Sequence, residues 1–147
     1  MSDALLGAAA LGDIGKHFND NDDDGDYYYA EFDNVTISNN NIKAVSEKGV
    51  YGIVAGGIGD SLISNNYVEV SGTSADGIET ADIAGVGTAA IAVVKPRTYG
   101  KEVSELTISD NVIDSYVDGI SLYEDADVTV SNNHILRENG AIIVNDD

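Results

Sequence analysis

Short stretches of alternating apolar and polar residues recur along most of the chain. Four of them share an eight-residue pattern in which a Ser at the fourth position precedes Asn-Asn or Asp-Asn, and the matching serines are Ser38, Ser64, Ser109 and Ser131. Apolar residues alternate with Thr and Ser, which is the period of a strand with one buried face. The stretches are too short, and too rich in Ile, Val and Thr, for helical repeats. The pattern therefore predicts an all-β protein built from repeated strands.

The residues after each serine predict where the chain turns and what stacks. Asn tolerates left-handed backbone angles, and its amide can bond the same amide in the next repeat. Stacked repeats would therefore align one Asn per repeat into a ladder, with one apolar residue per repeat stacked inside, just past the turn. The predicted ladder is Asn40, Asn66, Asn111 and Asn133, and the predicted apolar stack is Ile42, Val68, Ile113 and Ile135.

The spacing of the repeats is uneven. The serines lie 26, 45 and 22 residues apart, so the middle interval holds either a large insertion or a degenerate further repeat. Within this interval, 89–94 is predicted as a buried strand and 95–101 as a loop. A second apolar stretch follows each octapeptide, and these stretches begin at Tyr51, Asp76, Asp118 and Asn139.

The pattern V-T-I-S-N-N-x-I followed by G-I resembles the parallel β-helix repeat of pectate-lyase-like proteins and alginate epimerases. The resemblance covers about 33–147 and implies a short right-handed parallel β-helix, a solenoid of four to five coils. In those families Lys, Arg or His beside carboxylates or calcium on one sheet promotes proton abstraction next to a uronate carboxyl group. The repeat strands show no such basic cluster, four coils are few for a long groove, and the acidic chain would repel a polyuronate. These points disfavour an enzyme.

Residues 2–18 predict one helix that would cap the first coil. Ser2 can cap its N-terminus, and its apolar residues fall on one face. The exposed strand edges of an open end need cover, which such a helix would supply. The predicted organisation is therefore a capping α-helix with an acidic loop over 1–32, followed by the β-helix over 33–147.

The run DALLGAAALGDIGKHF and the acidic residues after it resemble a helix and loop of 2-C-methyl-D-erythritol 2,4-cyclodiphosphate synthase over about 2–22. In that family the segment matching Asp13, Ile14 and Gly15 lies at the substrate pocket. The family's metal ligands, an Asp-x-His pair and a further His, would fall before the first residue here, so the resemblance does not carry the synthase activity. A helix of one family joined directly to repeats of another indicates a chimeric, designed or computer-generated sequence.

Residues 20–31, DNDDDGDYYYAE, have the spacing of an EF-hand calcium loop. Ca²⁺ takes roughly six to eight oxygen ligands, and alternate positions of a tight turn direct carboxylates at one centre, with Gly25 supplying the bend. The candidate ligands are the carboxylates of Asp20, Asp22 and Asp24, the backbone carbonyl of Asp26, a water-bridged Tyr28 and the carboxylate of Glu31. The loop occurs once, and a strand follows it where an EF-hand has a helix. An acidic, solvated linker is therefore the alternative interpretation.

Composition narrows the choice of partners. The chain has 26 Asp and Glu against 7 Lys and Arg, a formal net charge of −19, which disfavours nucleic acid and anionic membranes. No apolar run is long enough to span a membrane, and no signal peptide is recognised, so the localisation stays open. Cysteine is absent, which excludes disulfides and thiolate metal sites.

The remaining candidate chemistry is sparse. His134 is predicted to be an ordinary outward side chain. Acidic residues near one repeat could form a patch for a cation or a sugar, or simply a solvated row, and they are Asp114, Asp118, Glu124, Asp125 and Asp127. We therefore predict a non-catalytic structural scaffold with a candidate calcium site and end-to-end self-association through its last coil. A carbohydrate-binding or polysaccharide-processing fragment is the alternative.

Overall fold

The computed structural model describes residues 32–47, 49–72, 88–95, 101–137 and 141–145. All of them belong to one compact unit, Glu31–Asp147. Over these ranges the chain is all-β, as predicted, and contains no helix. Accordingly, this part of the chain has no helix with the length and hydropathy that crossing a membrane requires.

The described ranges contain thirteen strands, and every pairing between them is parallel. In chain order they are β1 Phe32–Asp33, β2 Thr36–Ser38, β3 Asn41–Ser46, β4 Tyr51–Ala55, β5 Ile58–Ser64, β6 Tyr67–Gly72, β7 Ala89–Val93, β8 Ser104–Ser109, β9 Val112–Ser115, β10 Asp118–Tyr123, β11 Val128–Ser131, β12 His134–Ile135 and β13 Ile142–Asn145.

These strands form three sheets. Sheet 1 has the order β1-β5-β8-β11, with β2 also paired to β5; sheet 2 has the order β3-β6-β9-β12; and sheet 3 has the order β4-β7-β10-β13. We call β1–β4 the first layer, β5–β7 the second, β8–β10 the third and β11–β13 the fourth. The first and fourth layers are therefore the edges of all three sheets.

The pairing register resolves the uneven spacing of the repeats. Ser64 pairs with Ser38 on one side and with Ser109 on the other, so no further sheet 1 strand lies between Ser64 and Ser109. The long middle interval therefore holds an insertion and not a further repeat. The predicted buried strand is confirmed, because β7 lies inside this interval and is buried along its whole length. The apolar stretch predicted to begin at Asp76 lies outside the described residues, as does most of the predicted loop at 95–101.

The predicted asparagine ladder is confirmed. Asn66 Oδ1 accepts the backbone N–H and the side-chain amide of Asn40 at 3.1 and 3.0 Å. Asn111 Oδ1 accepts the same two groups of Asn66, both at 3.0 Å, and Asn133 Oδ1 accepts those of Asn111 at 3.0 and 2.9 Å. Three of the amides also donate to a carbonyl of the preceding layer, and the pairs are Asn66 to Ile37, Asn111 to Ile63 and Asn133 to Ile108.

A left-handed residue precedes each asparagine of the ladder. These residues and their φ angles are Asn39 at 60°, Asn65 at 55°, Asp110 at 58° and Asn132 at 55°. Among residues other than glycine, Asn and Asp tolerate this conformation best. The two residues of each Asn-Asn or Asp-Asn pair thus have different roles. The first residue allows the chain to turn between sheets 1 and 2, and the second forms hydrogen bonds between the layers.

A single large apolar core lies between the three sheets. The predicted apolar stack is confirmed by the register, in which Ile42 pairs with Val68, Val68 with Ile113, and Ile113 with Ile135. Val68 and Ile113 are fully buried, whereas the outer two residues, in the first and fourth layers, are half-buried. The largest fully buried side chains are Ile63, Ile91, Leu106, Ile108, Ile113 and Ile120.

The prediction of a short right-handed parallel β-helix with a capping α-helix is wrong. The strands form separate parallel sheets of four or five strands packed side by side, without a clear solenoid, and the described part of the chain has no helix. The physical reason is that the octapeptide fixes only the partner of each strand within its sheet. The long insertion breaks the constant period that a solenoid needs. The segment predicted to cap the fold, 2–18, lies outside the described residues.

Candidate functional site

The predicted calcium ligands cannot be located in the structure. Asp20, Asp22, Asp24, Asp26, Tyr28 and Glu31 all lie outside the described residues. Within 32–47, 49–72, 88–95, 101–137 and 141–145, no three His, Asp or Glu side chains come close enough to hold a metal ion. The calcium site in 20–31 therefore stays a prediction.

The outer face of sheet 2 brings charged side chains of opposite sign together. Its register places Lys43, Glu69 and Asp114 side by side in one row across β3, β6 and β9. Lys43 Nζ lies 3.5 Å from Glu69 Oε1. Arg137, which follows β12, donates from Nε to Asp114 Oδ1. The sequence predicted no basic cluster of the lyase or epimerase kind on the repeat strands, whereas the structure places two cations next to two carboxylates on this face.

An aromatic ring extends this charged row. The guanidinium carbon of Arg137 lies 3.7 Å from the centre of the Tyr116 ring, a cation–π contact on an exposed surface. The hydrogen bond to Asp114 is the main reason why the pKa of Arg137 is raised, and the neighbouring Tyr116 adds to it. Tyr116 itself remains half exposed, at 52%. The guanidinium is thus positioned by a carboxylate at its edge and a ring at its face.

A second row on the same face carries Tyr67 and His134. Tyr67 pairs with Val112, and Val112 pairs with His134, so these residues lie at equal positions of successive layers. The Tyr67 ring is 37% exposed, and His134 is exposed, as an outward side chain requires. We define the outer face of sheet 2 by Lys43, Tyr67, Glu69, Asp114, Tyr116, His134 and Arg137.

The acidic residues predicted to share one patch take different partners. Asp114 binds Arg137 on the outer face of sheet 2, Asp125 Oδ2 lies 3.4 Å from Lys95 Nζ, and Asp127 Oδ2 accepts the backbone N–H of Glu105 at 3.2 Å. Partial burial raises the pKa of Asp118. Glu124 is exposed in the turn after β10. These residues therefore do not share a single ligand patch, and the half-buried Asp114 and Asp118 do not belong to a solvated row either.

A second acidic group, which the sequence analysis missed, lies where the strands of sheet 1 begin. The protonated Glu105 carboxyl group donates a hydrogen bond to the Asp60 carboxylate, and this bond together with the negative charge of Asp60 raises the pKa of Glu105; the charge of Asp127 adds to the rise. Asp60 and Glu105 both have left-handed backbones, with φ of 45° and 50°. Asp60 and Glu105 are as far apart in the sequence as Ser64 and Ser109, which pair in sheet 1. Aligning the repeats on their serines would therefore have placed Asp60 next to Glu105.

Known proteins that are similar to this chain match it over a short segment. A segment of 24 residues is 79% identical to 2-C-methyl-D-erythritol 2,4-cyclodiphosphate synthase of Shewanella woodyi, covering 16% of this chain and 15% of that enzyme. Segments of 22 residues are 86% identical to the synthases of Stutzerimonas stutzeri and Pseudomonas aeruginosa, covering 15% of this chain and 14% of each enzyme. The predicted resemblance to a fragment of this synthase is confirmed. No protein-family model and no solved structure matches the chain.

Proposed function

We propose that this chain is a non-catalytic structural scaffold. The observation that carries the proposal is that its buried polar side chains bond to neighbouring layers. Asn66 and Asn111, both almost fully buried, link adjacent layers through their amides, and Ser61 Oγ accepts the Val35 N–H at 3.1 Å. In the described part of the chain no buried side-chain nitrogen or oxygen lacks a hydrogen-bond partner. Such groups hold the layers together, which is what a scaffold requires.

The test is an activity screen that singles out the most enzyme-like feature of the molecule. Arg137 beside Asp114 is the arrangement most suited to neutralising a substrate carboxylate. We expect no lyase or epimerase turnover on a panel of polyuronates, with or without millimolar calcium. Turnover that disappears in Arg137→Ala but persists in Lys95→Ala, whose cation also pairs with a carboxylate, would overturn the proposal.

Carbohydrate binding without catalysis is a second candidate, supported by the outer face of sheet 2. Exposed Tyr67 and Tyr116 flank carboxylates there, and aromatic rings with polar neighbours suit sugar rings. A glycan array and saturation-transfer NMR test it. Binding should be lost in Tyr67→Ala and kept in Phe32→Ala, since Phe32 is also 37% exposed but lies on sheet 1. An array without signal would remove this candidate.

We also propose that 20–31 binds Ca²⁺, a proposal that rests on the sequence spacing alone. Calorimetric titration of the full chain with calcium should give saturable heat. Asp24→Ala should abolish that heat, whereas Glu124→Ala, which removes an equal charge from an exposed turn, should not. The absence of heat at millimolar calcium, or equal heat in both variants, contradicts the site.

The chain's origin is a further proposal. A 22- to 24-residue segment highly identical to an enzyme covers only 15–16% of the chain. Together with the repeats elsewhere, this supports a chimeric or designed sequence. A natural protein with the same synthase-like segment followed by the same repeats would contradict that origin.

A further inference from the structure

The fourth layer leaves the apolar core uncovered. Ile142 continues the row formed by Ile91 and Ile120 in sheet 3, yet those two are fully buried and Ile142 is 47% exposed. Val144 pairs with Leu122, which is half-buried and packs against the core, and Val144 itself is 56% exposed. Exposed apolar residues at inward positions of an edge strand mark a surface that another strand layer can cover.

Within the part of the chain that the structure describes, the two ends of the asparagine ladder differ in their hydrogen-bonding groups: the end at the fourth layer has a donor without an acceptor, and the end at the first layer has an acceptor without a donor. At the fourth layer, Asn133 Nδ2 donates to Ile108 O, but its own backbone N–H has no acceptor among the described residues. At the first layer, no residue of the described ranges donates to Asn40 Oδ1. The Asn40 amide donates instead to the carbonyl of its near neighbour Ser38 at 3.1 Å, whereas the other amides reach the preceding layer.

We propose that a second copy of this chain stacks head-to-tail on the first, with its first layer on the fourth layer below it. Asn133 then donates from its backbone N–H and Nδ2 to Asn40 Oδ1 of the second copy, as Asn66 does to Asn111 within one chain. The second copy's Asn40 amide donates to the Val130 carbonyl, the position equivalent to Ile108. This inference goes beyond the scaffold proposal and does not depend on it.

The apolar contacts of such a stack follow from the same register. Val130 continues the row of Ile108 in sheet 1, and Ile135 continues that of Ile113 in sheet 2. In the stack these two residues would meet Ile37 and Ile42 of the next copy, both half-buried in the single chain. The ladder and the core would thus continue together across the junction.

Head-to-tail contacts give an open series of copies when each copy continues the stack in the same direction, so the expected product here is linear. Each copy has a net charge of −19, which opposes association. Salt screens this repulsion over about 8–10 Å at roughly physiological ionic strength. Association should therefore strengthen as the salt concentration rises.

The first measurement is the mass of the full chain by sedimentation velocity and light scattering, at about 50 mM and about 500 mM NaCl. We expect species at multiples of 15.4 kDa, with an average mass that grows with protein concentration and is larger at high salt. A single species of 15.4 kDa at every concentration and both salts overturns the proposal.

Two variants then test the direction of stacking. Val144→Lys alters the fourth layer only, and Asn40→Ala removes the open acceptor of the first layer. Each alone should weaken association at least about tenfold. Val54→Lys is the matched control, because Val54 is 43% exposed on an outward position of β4 and the charge change is the same. It should associate like the wild type.

A mixture gives the decisive result, since each variant retains the end that the other has lost. Val144→Lys mixed with Asn40→Ala should form a one-to-one dimer of twice 15.4 kDa and nothing larger. A mixture that stays monomeric, or a wild-type dimer unaffected by Asn40→Ala, overturns head-to-tail stacking. Circular dichroism checks each fold. If Val144→Lys does not fold, Asn133→Asp replaces it, because it keeps the acceptor for Asn111 and loses the amide donor.

Discussion

Replacing Asn111 by Ala tests how strongly the asparagine ladder holds the layers together. The Asn111 side chain is fully buried in the third layer and makes four hydrogen bonds. It accepts the backbone and side-chain N–H of Asn66, both at 3.0 Å, and donates to Ile63 O at 3.0 Å and Asn133 Oδ1 at 2.9 Å. Alanine removes all four and leaves buried partners unpaired.

The expected loss follows from these four bonds. A buried hydrogen bond contributes about 1 kcal/mol net, and each buried partner left unpaired adds to the cost of its removal. Asn111→Ala should therefore lower the free energy of unfolding by about 4 kcal/mol, a large share of the roughly 5–15 kcal/mol typical of a domain. For a chain of this length, that corresponds to a melting temperature lower by about 8–16 °C.

The assay is urea unfolding followed by circular dichroism, with thermal melting as a second measurement. Two ladder variants serve as controls: Asn133→Ala, in the half-buried last position, should lose about 1–2 kcal/mol, and Asn40→Ala, whose side chain is exposed, less than about 1 kcal/mol. Equal losses at all three positions, or a loss below about 1 kcal/mol at Asn111, would refute the reasoning.

Three further predictions concern substitutions of single residues. Tyr123→Phe removes a buried hydroxyl that accepts a backbone N–H at 2.7 Å and should lose about 1–3 kcal/mol in urea unfolding, whereas the exposed Tyr67→Phe should change stability by less than about 0.5 kcal/mol; equal effects contradict this. Gly52→Ala places a Cβ 2.6 Å from a carbonyl oxygen of β7 and should lose about 1–3 kcal/mol, while Gly56→Ala, with 3.1 Å to a valine methyl, should be tolerated better; the reverse order refutes the packing argument. Neighbouring carboxylates raise the pKa of Glu105 above its usual value of 4.5, so the folded chain binds this proton more tightly than the unfolded chain. The resulting stabilisation is complete below pH 4.5 and is lost as the pH rises through the raised pKa. Glu105→Gln should therefore melt higher than the wild type near neutral pH, with a gap that narrows on acidification; a gap independent of pH would show that charge is not its cause.

The recurring eight-residue pattern predicted several features of the described fold. The positions of the serines, the ladder asparagines and the apolar residue after each turn all followed from one alignment, and the pairing register confirms them. The reason is that stacked parallel strands place equal positions of successive repeats side by side, so a local pattern dictates a non-local contact. The all-β class followed from the same alternation.

Two side-chain contacts between neighbouring layers were not predicted from the sequence, although they depend on the same alignment. Arg137 lies beyond the octapeptide and pairs with Asp114 of the neighbouring layer, and Glu105 meets Asp60 near the start of the strands of sheet 1. The register of the repeats alone predicts that such residues lie in neighbouring layers. Side-chain length and local backbone, including the left-handed φ of 50° at Glu105, decide which of them touch.

The sequence by itself determined which positions of the repeats align, where the chain turns and which asparagines form the ladder, because these depend on periodic local chemistry. Only the tertiary structure decided how the sheets are arranged, that the 45-residue interval holds an insertion, and which charges meet on the outer face of sheet 2. Those features depend on packing between segments far apart in the chain, where many arrangements satisfy the same alternation and only the shared core selects one.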